Sequence, residues 1–164
     1  REARLSPTRD ELAARLGPID LVSDVWPFYQ TRYYRDQTGP NIVRQFVTIE
    51  RLIDPAPPAE VKHHTTRLER KLAEIDTSPL PRPVNLDPGI IEPSKLVLAS
   101  TKNFSHRIYI GQKMYAEVTL LFDRGAWRPL PYTYPDYCQQ CYFDFFDRVR
   151  DKLRQQLRVT AEKK

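Results

Sequence analysis

From Met114 to Phe122 the chain alternates, with Ala116, Val118, Leu120 and Phe122 on one side and Tyr115, Glu117 and Thr119 on the other. That period of two predicts a β-strand with one face in the core. Ser105 to Ile110 is its natural partner, and Gly111-Gln112 between them reads as the two-residue turn of a hairpin. A different period governs Val61, Thr65, Leu68 and Leu72, which form a helical stripe from Ala59 to about Asp76. Tyr142, Phe146, Val149, Leu153 and Leu157 form a second, longer one, on a helix expected to begin near Pro135-Asp136.

Turn and cap chemistry places the remaining elements. Ser6-Pro7 reads as an N-cap followed by Pro at the first helical position, opening a helix through Leu12 and Leu16 that stops at Gly17-Pro18. Ile19 to Tyr29 and Asn41 to Ile53 are rich in β-branched and aromatic residues, with Gly39-Pro40 as a turn between them. Asp54 to Pro58 breaks the chain, and Thr77 to Pro83 is a proline-rich connection. Val84 to Leu86 reads as the end of a buried strand, followed by the turn Asp87-Pro88-Gly89. Ser94 to Thr101 lacks alternation and is expected to be a short buried helix; Asp123-Arg124-Gly125 turns the chain into Trp127. This order predicts an α+β fold: an open, mostly antiparallel sheet with a split-βαβ or ferredoxin-like core, an added hairpin and a long C-terminal helix. One domain is expected over residues 1–164, with 159–164 a frayed tail.

Composition narrows the function classes. Five Gly in 164 residues leave no Gly-rich phosphate cradle, and neither a P-loop nor a dinucleotide fingerprint occurs. No apolar run approaches a membrane span, and Arg1 to Leu16 is charged rather than a secretory core, so a cytoplasmic protein is expected. The net charge of +5 permits weak attraction to nucleic acid. Much of the excess lies in Arg148, Arg150, Lys152, Arg154, Arg158, Lys163 and Lys164, which read as a solvated helix face in preference to an RNA-binding stripe, because no aromatic residues interleave with them.

The candidate chemistry gathers in the hairpin. A turn at Gly111-Gln112 sets His106 opposite Glu117, and alternation sends Tyr115 and Thr119 to the same face. A carboxylate beside an imidazole suits general acid/base work, phosphate binding or the support of a metal ligand; as a plain cross-strand ion pair it would add only stability. Asp87 is a candidate base or metal ligand at a strand end, or else an Asx-turn that satisfies its own backbone. Lys95, Lys102 and Arg107 suit an anion by charge and donor geometry, and Tyr132, Tyr134 and Tyr137 could stack on a planar ligand or cover a core edge. Cys138-Gln-Gln-Cys141 is a lone C-x-x-C, without the further ligands of a zinc site, and reads as two free thiols. His63-His64 is a poor metal pair, because adjacent residues on a helix point apart, and neither Ser94 nor Ser105 sits in a nucleophile elbow.

Taken together, Leu16 to Leu21, Phe46 to Pro55, VNLDPG at Val84 to Gly89, SKLVLASTKNFSHRIYIG at Ser94 to Gly111, YAEVTL at Tyr115 to Leu120 and YTYPDY at Tyr132 to Tyr137 resemble the motifs of a bacterial family of small proteins catalogued as a domain of unknown function. Some of its members carry the label "GTP-binding protein". The resemblance runs from about Leu12 to Leu157 and implies Asn85, Asp87, Lys95, Lys102, His106, Arg107, Glu117 and Asp136 as polar motif positions, without roles. It also implies an apolar strand ahead of the first helix, with which this chain does not begin. The cysteine pair lies outside the family pattern.

Two functions from different classes follow. The first is a domain that binds or acts on a small anionic ligand, phosphorylated or nucleotide-like. In it His106 and Glu117 are an acid/base pair, Asp87 an orienter or divalent-metal ligand, and Asn85, Lys95, Lys102, Arg107, Tyr115 and Thr119 the ligand contacts. Its rival is a non-catalytic adaptor that holds a protein or RNA through the basic C-terminal helix and the aromatic segment Trp26 to Tyr34.

Overall fold

The structure, a computed structural model, describes residues 2–28, 41–55, 59–77 and 80–162. Expectations for Tyr29 to Tyr34, the Gly39-Pro40 turn, Pro57-Pro58, Ser78-Pro79 and Lys163-Lys164 lie outside the described residues. The chain divides into two compact units, Arg1–Ala56 with Val61–Leu86, and Pro57–Glu60 with Asp87–Lys164.

In the first unit a short 3-10 turn, Glu2–Arg4, runs into α1 (Leu5–Leu16). The helix therefore starts before Ser6, and Ser6-Pro7 sits in its first turn, where the missing N–H of proline is no loss. Thr8 Oγ1 donates to the Arg4 carbonyl over 2.7 Å instead. At the other end Gly17, with φ +108°, donates its N–H to Ala13 O over 3.0 Å and stops the helix. The two extended segments form β1 (Ile19–Val22) against β4 (Val47–Ile49), and β2 (Trp26–Pro27) against β3 (Val43–Arg44), all antiparallel. Helix α2 (Ala59–Ile75) buries Leu68 and Leu72 of its stripe against Leu12, with Leu16, Ile19, Val47, Val84 and Leu86 around them.

Val84 to Leu86 is not a strand. The Leu86 N–H donates to Glu69 Oε1 over 2.6 Å and its carbonyl accepts from Lys62 Nζ over 2.7 Å, so buried side chains of α2 supply the bonds that a neighbouring strand would. Arg82 Nη2 closes on the other Glu69 oxygen at 2.9 Å.

The second unit carries β5 (Gly89–Glu92), β6 (Lys95–Ser100), β7 (Ile108–Gly111), β8 (Met114–Asp123) and β9 (Ala126–Pro129). They pair antiparallel in the order β5-β6-β8-β7, with β9 also on β8. The α+β class, the antiparallel sheets and the long terminal helix are as expected. Within this sheet consecutive strands are joined by turns and loops, with no helix in the described chain between them, so it is a hairpin assembly and not a split-βαβ unit.

The expected helix at Ser94 to Thr101 is strand β6. Alternation is missing there because the β6–β8 register shifts between Leu96 and Val97, which puts the two buried residues, Leu96 and Ala99, three positions apart. After β9 a 3-10 turn, Pro135–Cys138, leads into α3 (Gln140–Ala161), so the long helix begins several residues later than the sequence implies. Tyr142, Phe145 and Phe146 of α3 are buried with Leu96, Ala99, Met114, Leu120, Trp127 and Tyr137. Edge-to-face contacts of Phe146 with Trp127 and Tyr142, at 6.0 and 6.4 Å, join rings from sheet and helix. Arg150 ties the helix to the sheet as well, its guanidinium 3.5 Å over the Phe122 ring and its Nε donating to Pro93 O over 2.6 Å. Among the described residues no helix is long and apolar enough to cross a membrane.

Candidate functional site

The hairpin between β7 and β8 turns one residue later than the sequence implies. Gln112 and Lys113 occupy the turn, with φ of 52° and 60°, as a primed turn requires at both central positions. Gly111 pairs with Met114, the register then shifts, and Tyr109 faces Tyr115 while Ile108 faces Ala116. Continued by one residue, this register sets Arg107, not His106, level with Glu117. His106 belongs to the turn ahead of β7, which is closed by the Arg107 N–H donating to Phe104 O over 3.0 Å. The two side chains meet all the same: His106 Nε2 is 2.9 Å from Glu117 Oε2.

Glu117 is thus the centre of a cluster. Its carboxylate, on a side chain 2% exposed, accepts on one oxygen from Arg107 Nε at 2.7 Å as well as from His106. Thr119 Oγ1 lies 3.5 Å from the other oxygen, and Thr133 Oγ1 secures that strand by donating to Thr119 O over 2.6 Å. Arg107 also donates to Ser100 Oγ at 3.1 Å, Lys102 O at 2.8 Å and Tyr134 Oη at 2.8 Å. Burial disfavours the charged guanidinium, but the bonds to Glu117 and Tyr134 outweigh it and hold the pKa above the ordinary arginine value.

The imidazole is held just as firmly. Tyr132 stacks on the His106 ring at 4.0 Å and 8°, and Phe104 leans on it at 5.3 Å and 57°. When Nε2 donates to Glu117, Nδ1 carries the lone pair and is the ring's free acceptor for a proton. The arrangement can therefore hold or move one proton at Nδ1.

The other sequence candidates divide by position. Lys102 is in the same loop, its N–H donating to Ser100 Oγ over 3.1 Å. Tyr115 faces Ser100 on one side and Tyr109 on the other, with its ring 5.4 Å from that of Tyr109. Asp87 is exposed and directly precedes Pro88, whose carbonyl accepts from the Ala99 N–H over 3.3 Å; it is at the Ser100 end of β6, the end that carries the cluster. Lys95 begins β6 at its opposite end, opposite Leu121, and pairs with Glu92 at 2.8 Å. Asn85 belongs to the other unit, where it accepts from Arg82 Nη2. Asp136 is buried in the 3-10 turn, and Tyr137 is in the core. Both cysteines are free thiols; burial first, and then the charge of Asp136, push the Cys138 thiol up. Among the described residues no group of three or more His, Cys, Asp or Glu side chains could hold a metal ion.

Two contributors have no local signature. Ser100 receives both Arg107 and the Lys102 N–H, and Thr133 anchors Thr119 through its carbonyl. An isolated Ser or Thr at a strand end or turn has many uses, and only the pairing of distant strands selects these.

Residues 1–153 match the model of one protein family, described as a domain of unknown function, DUF4416. Neither the search of curated proteins nor that of solved structures finds a match.

Proposed function

The chain belongs to this family of unknown function, and we propose that its Glu117 cluster binds or acts on a small anionic ligand, phosphorylated or nucleotide-like, with His106 as the acid/base group. The observation that carries this reading is the 2.9 Å contact between His106 Nε2 and a carboxylate almost out of water, on an imidazole fixed by a stacked tyrosine. A histidine that only filled space would need neither a buried charge nor a locked ring plane. In this reading Glu117 sets the tautomer and Arg107, with its donors already distributed, positions Glu117. Thr119 supports the second carboxylate oxygen. Lys102 supplies positive charge for the anion, Tyr115 lines the approach, and Asp87 orients the ligand or a divalent cation. Lys95, at the opposite end of β6, has no part in it.

Thermal unfolding of the wild type, His106→Ala and His106→Asn in the presence of nucleotides, sugar phosphates and divalent cations tests the proposal. A ligand at 100 times its Kd stabilises the folded state by about 2.7 kcal/mol, a rise of several degrees in Tm. The expected result is a rise in the wild type that both variants lose. No rise up to the solubility limit of each ligand, or an equal rise in all three proteins, overturns it.

A further inference from the structure

Beyond the chemistry at His106, and independently of it, we infer that the sheet face around this cluster is a docking surface for single-stranded nucleic acid. Large aromatic side chains stand out of it: Phe104 is 64% exposed, Tyr109 58% and Tyr134 49%. Contacts already described join all three to the Glu117 cluster. Tyr109 packs on Tyr115, which faces Ser100 across β6; Ser100 and Tyr134 both bond Arg107; and Phe104 leans on His106. The rings are also held in place. The Tyr109 hydroxyl accepts the Lys113 N–H over 3.3 Å, and Tyr134 is fixed through its hydroxyl. Little side-chain freedom would be lost on stacking.

Charge selects the partner. Between Glu92 and Glu117 the chain has no acidic residue; of its cations Lys102 and Lys113 are exposed beside the rings, whereas Lys95 pairs with Glu92 at the far end of β6 and the Arg107 side chain is buried against Glu117. Aromatic and basic residues interleave through its second half as Lys102, Phe104, Arg107, Tyr109, Lys113 and Tyr115. Exposed rings beside the exposed Lys102 and Lys113, with Glu117 buried and paired beneath them, match unstacked bases joined by phosphates. A duplex offers no open base faces to these rings. The basic stripe of α3 lacks this interleaving, and its Arg150 already stacks on Phe122.

The test is fluorescence anisotropy with a labelled oligouridylate of about 12 nucleotides, within the span of one stacking platform, and with a duplex of equal length. Expected are binding to the single strand in preference to the duplex, an affinity that falls steeply with salt, and a loss of roughly tenfold or more in Phe104→Ala/Tyr109→Ala. Lys113→Glu should reduce the salt dependence, and Tyr109→Phe, which keeps the ring, should bind nearly as well as the wild type. These side chains are exposed, so an unchanged Tm separates lost contact from lost fold. Absence of binding at low salt, equal binding of the duplex, or loss only in Arg154→Glu/Arg158→Glu overturns the inference. So does a concentration-dependent dimer in sedimentation that Ile108→Asp abolishes, since a second copy would then occupy the exposed β7 edge.

Discussion

Arg107 Nε donates to Glu117 Oε2 over 2.7 Å, with the two side chains only 6% and 2% exposed. An ion pair this far from water is costly to break on one side, because the survivor keeps its desolvation penalty without its partner. Arg107→Ala or Glu117→Ala should therefore lower stability by about 3–5 kcal/mol, measured by urea unfolding, and the double change to Arg107→Met/Glu117→Leu by much less than the two singles combined. Arg107→Lys should also destabilise, since an ammonium cannot reach four acceptors in the plane of a guanidinium. Additive single losses would show that the pair is not coupled.

Gly89 should tolerate no side chain. A Cβ there would lie 2.7 Å from Leu98 Cδ2 and 3.0 Å from the Val97 carbonyl oxygen, and the carbonyl is part of the β5–β6 ladder and cannot move aside. Gly89→Ala is expected to cost about 1–3 kcal/mol by overpacking, read from the midpoint of denaturant unfolding at unchanged slope.

Asp147 on α3 should make stability fall as pH rises. Burial first, then the charges of Asp151 and Asp144, push its carboxyl up, against the pull of the Trp127 indole N–H and Arg150. A raised folded pKa means that the native state holds the proton more tightly than the unfolded chain; the benefit is full below the unfolded pKa and lost as pH rises through the folded one. Asp147→Asn should accordingly raise Tm at neutral pH, with the gain shrinking as the pH falls into the carboxylate range. A gain of the same size at every pH would rule out titration as its source.

The Cys138 thiol should be sluggish. The residue is exposed, but partial desolvation of its thiol and the Asp136 charge favour the protonated form, and only the thiolate is a good nucleophile. In a Cys141→Ser variant, alkylation of Cys138 by iodoacetamide should be slower than that of a model thiol at neutral pH and should climb toward it above the usual thiol range. A rate equal to or above the model thiol at neutral pH would contradict the burial argument.

Much of this architecture is legible in local pattern. The spacing of Leu68 and Leu72 marks α2, and the alternation through Leu120 marks β8, because a helix stripe and a pleat each write their own period into the chain. Strand β6 escapes this logic, since its pairing with β8 slips between Leu96 and Val97 and leaves the buried Leu96 and Ala99 three positions apart.

The amino-acid sequence by itself determined which segments carry a helical stripe, where the hairpin lies, and that Glu117 falls within it with His106 and Arg107 just ahead of its first strand. Tertiary structure alone decided which residue stands level with Glu117. A hairpin register depends on which residues accept φ above zero in the turn and on any bulge beyond it: the turn moves from Gly111-Gln112 to Gln112-Lys113, and the slip between Tyr109 and Gly111 then brings Arg107 level with Glu117. It also decided that Lys95 points to the far end of the sheet and that Tyr132 stacks on His106. Those are distances between positions remote in sequence, set by how strands pair and loops close, and no local period encodes them.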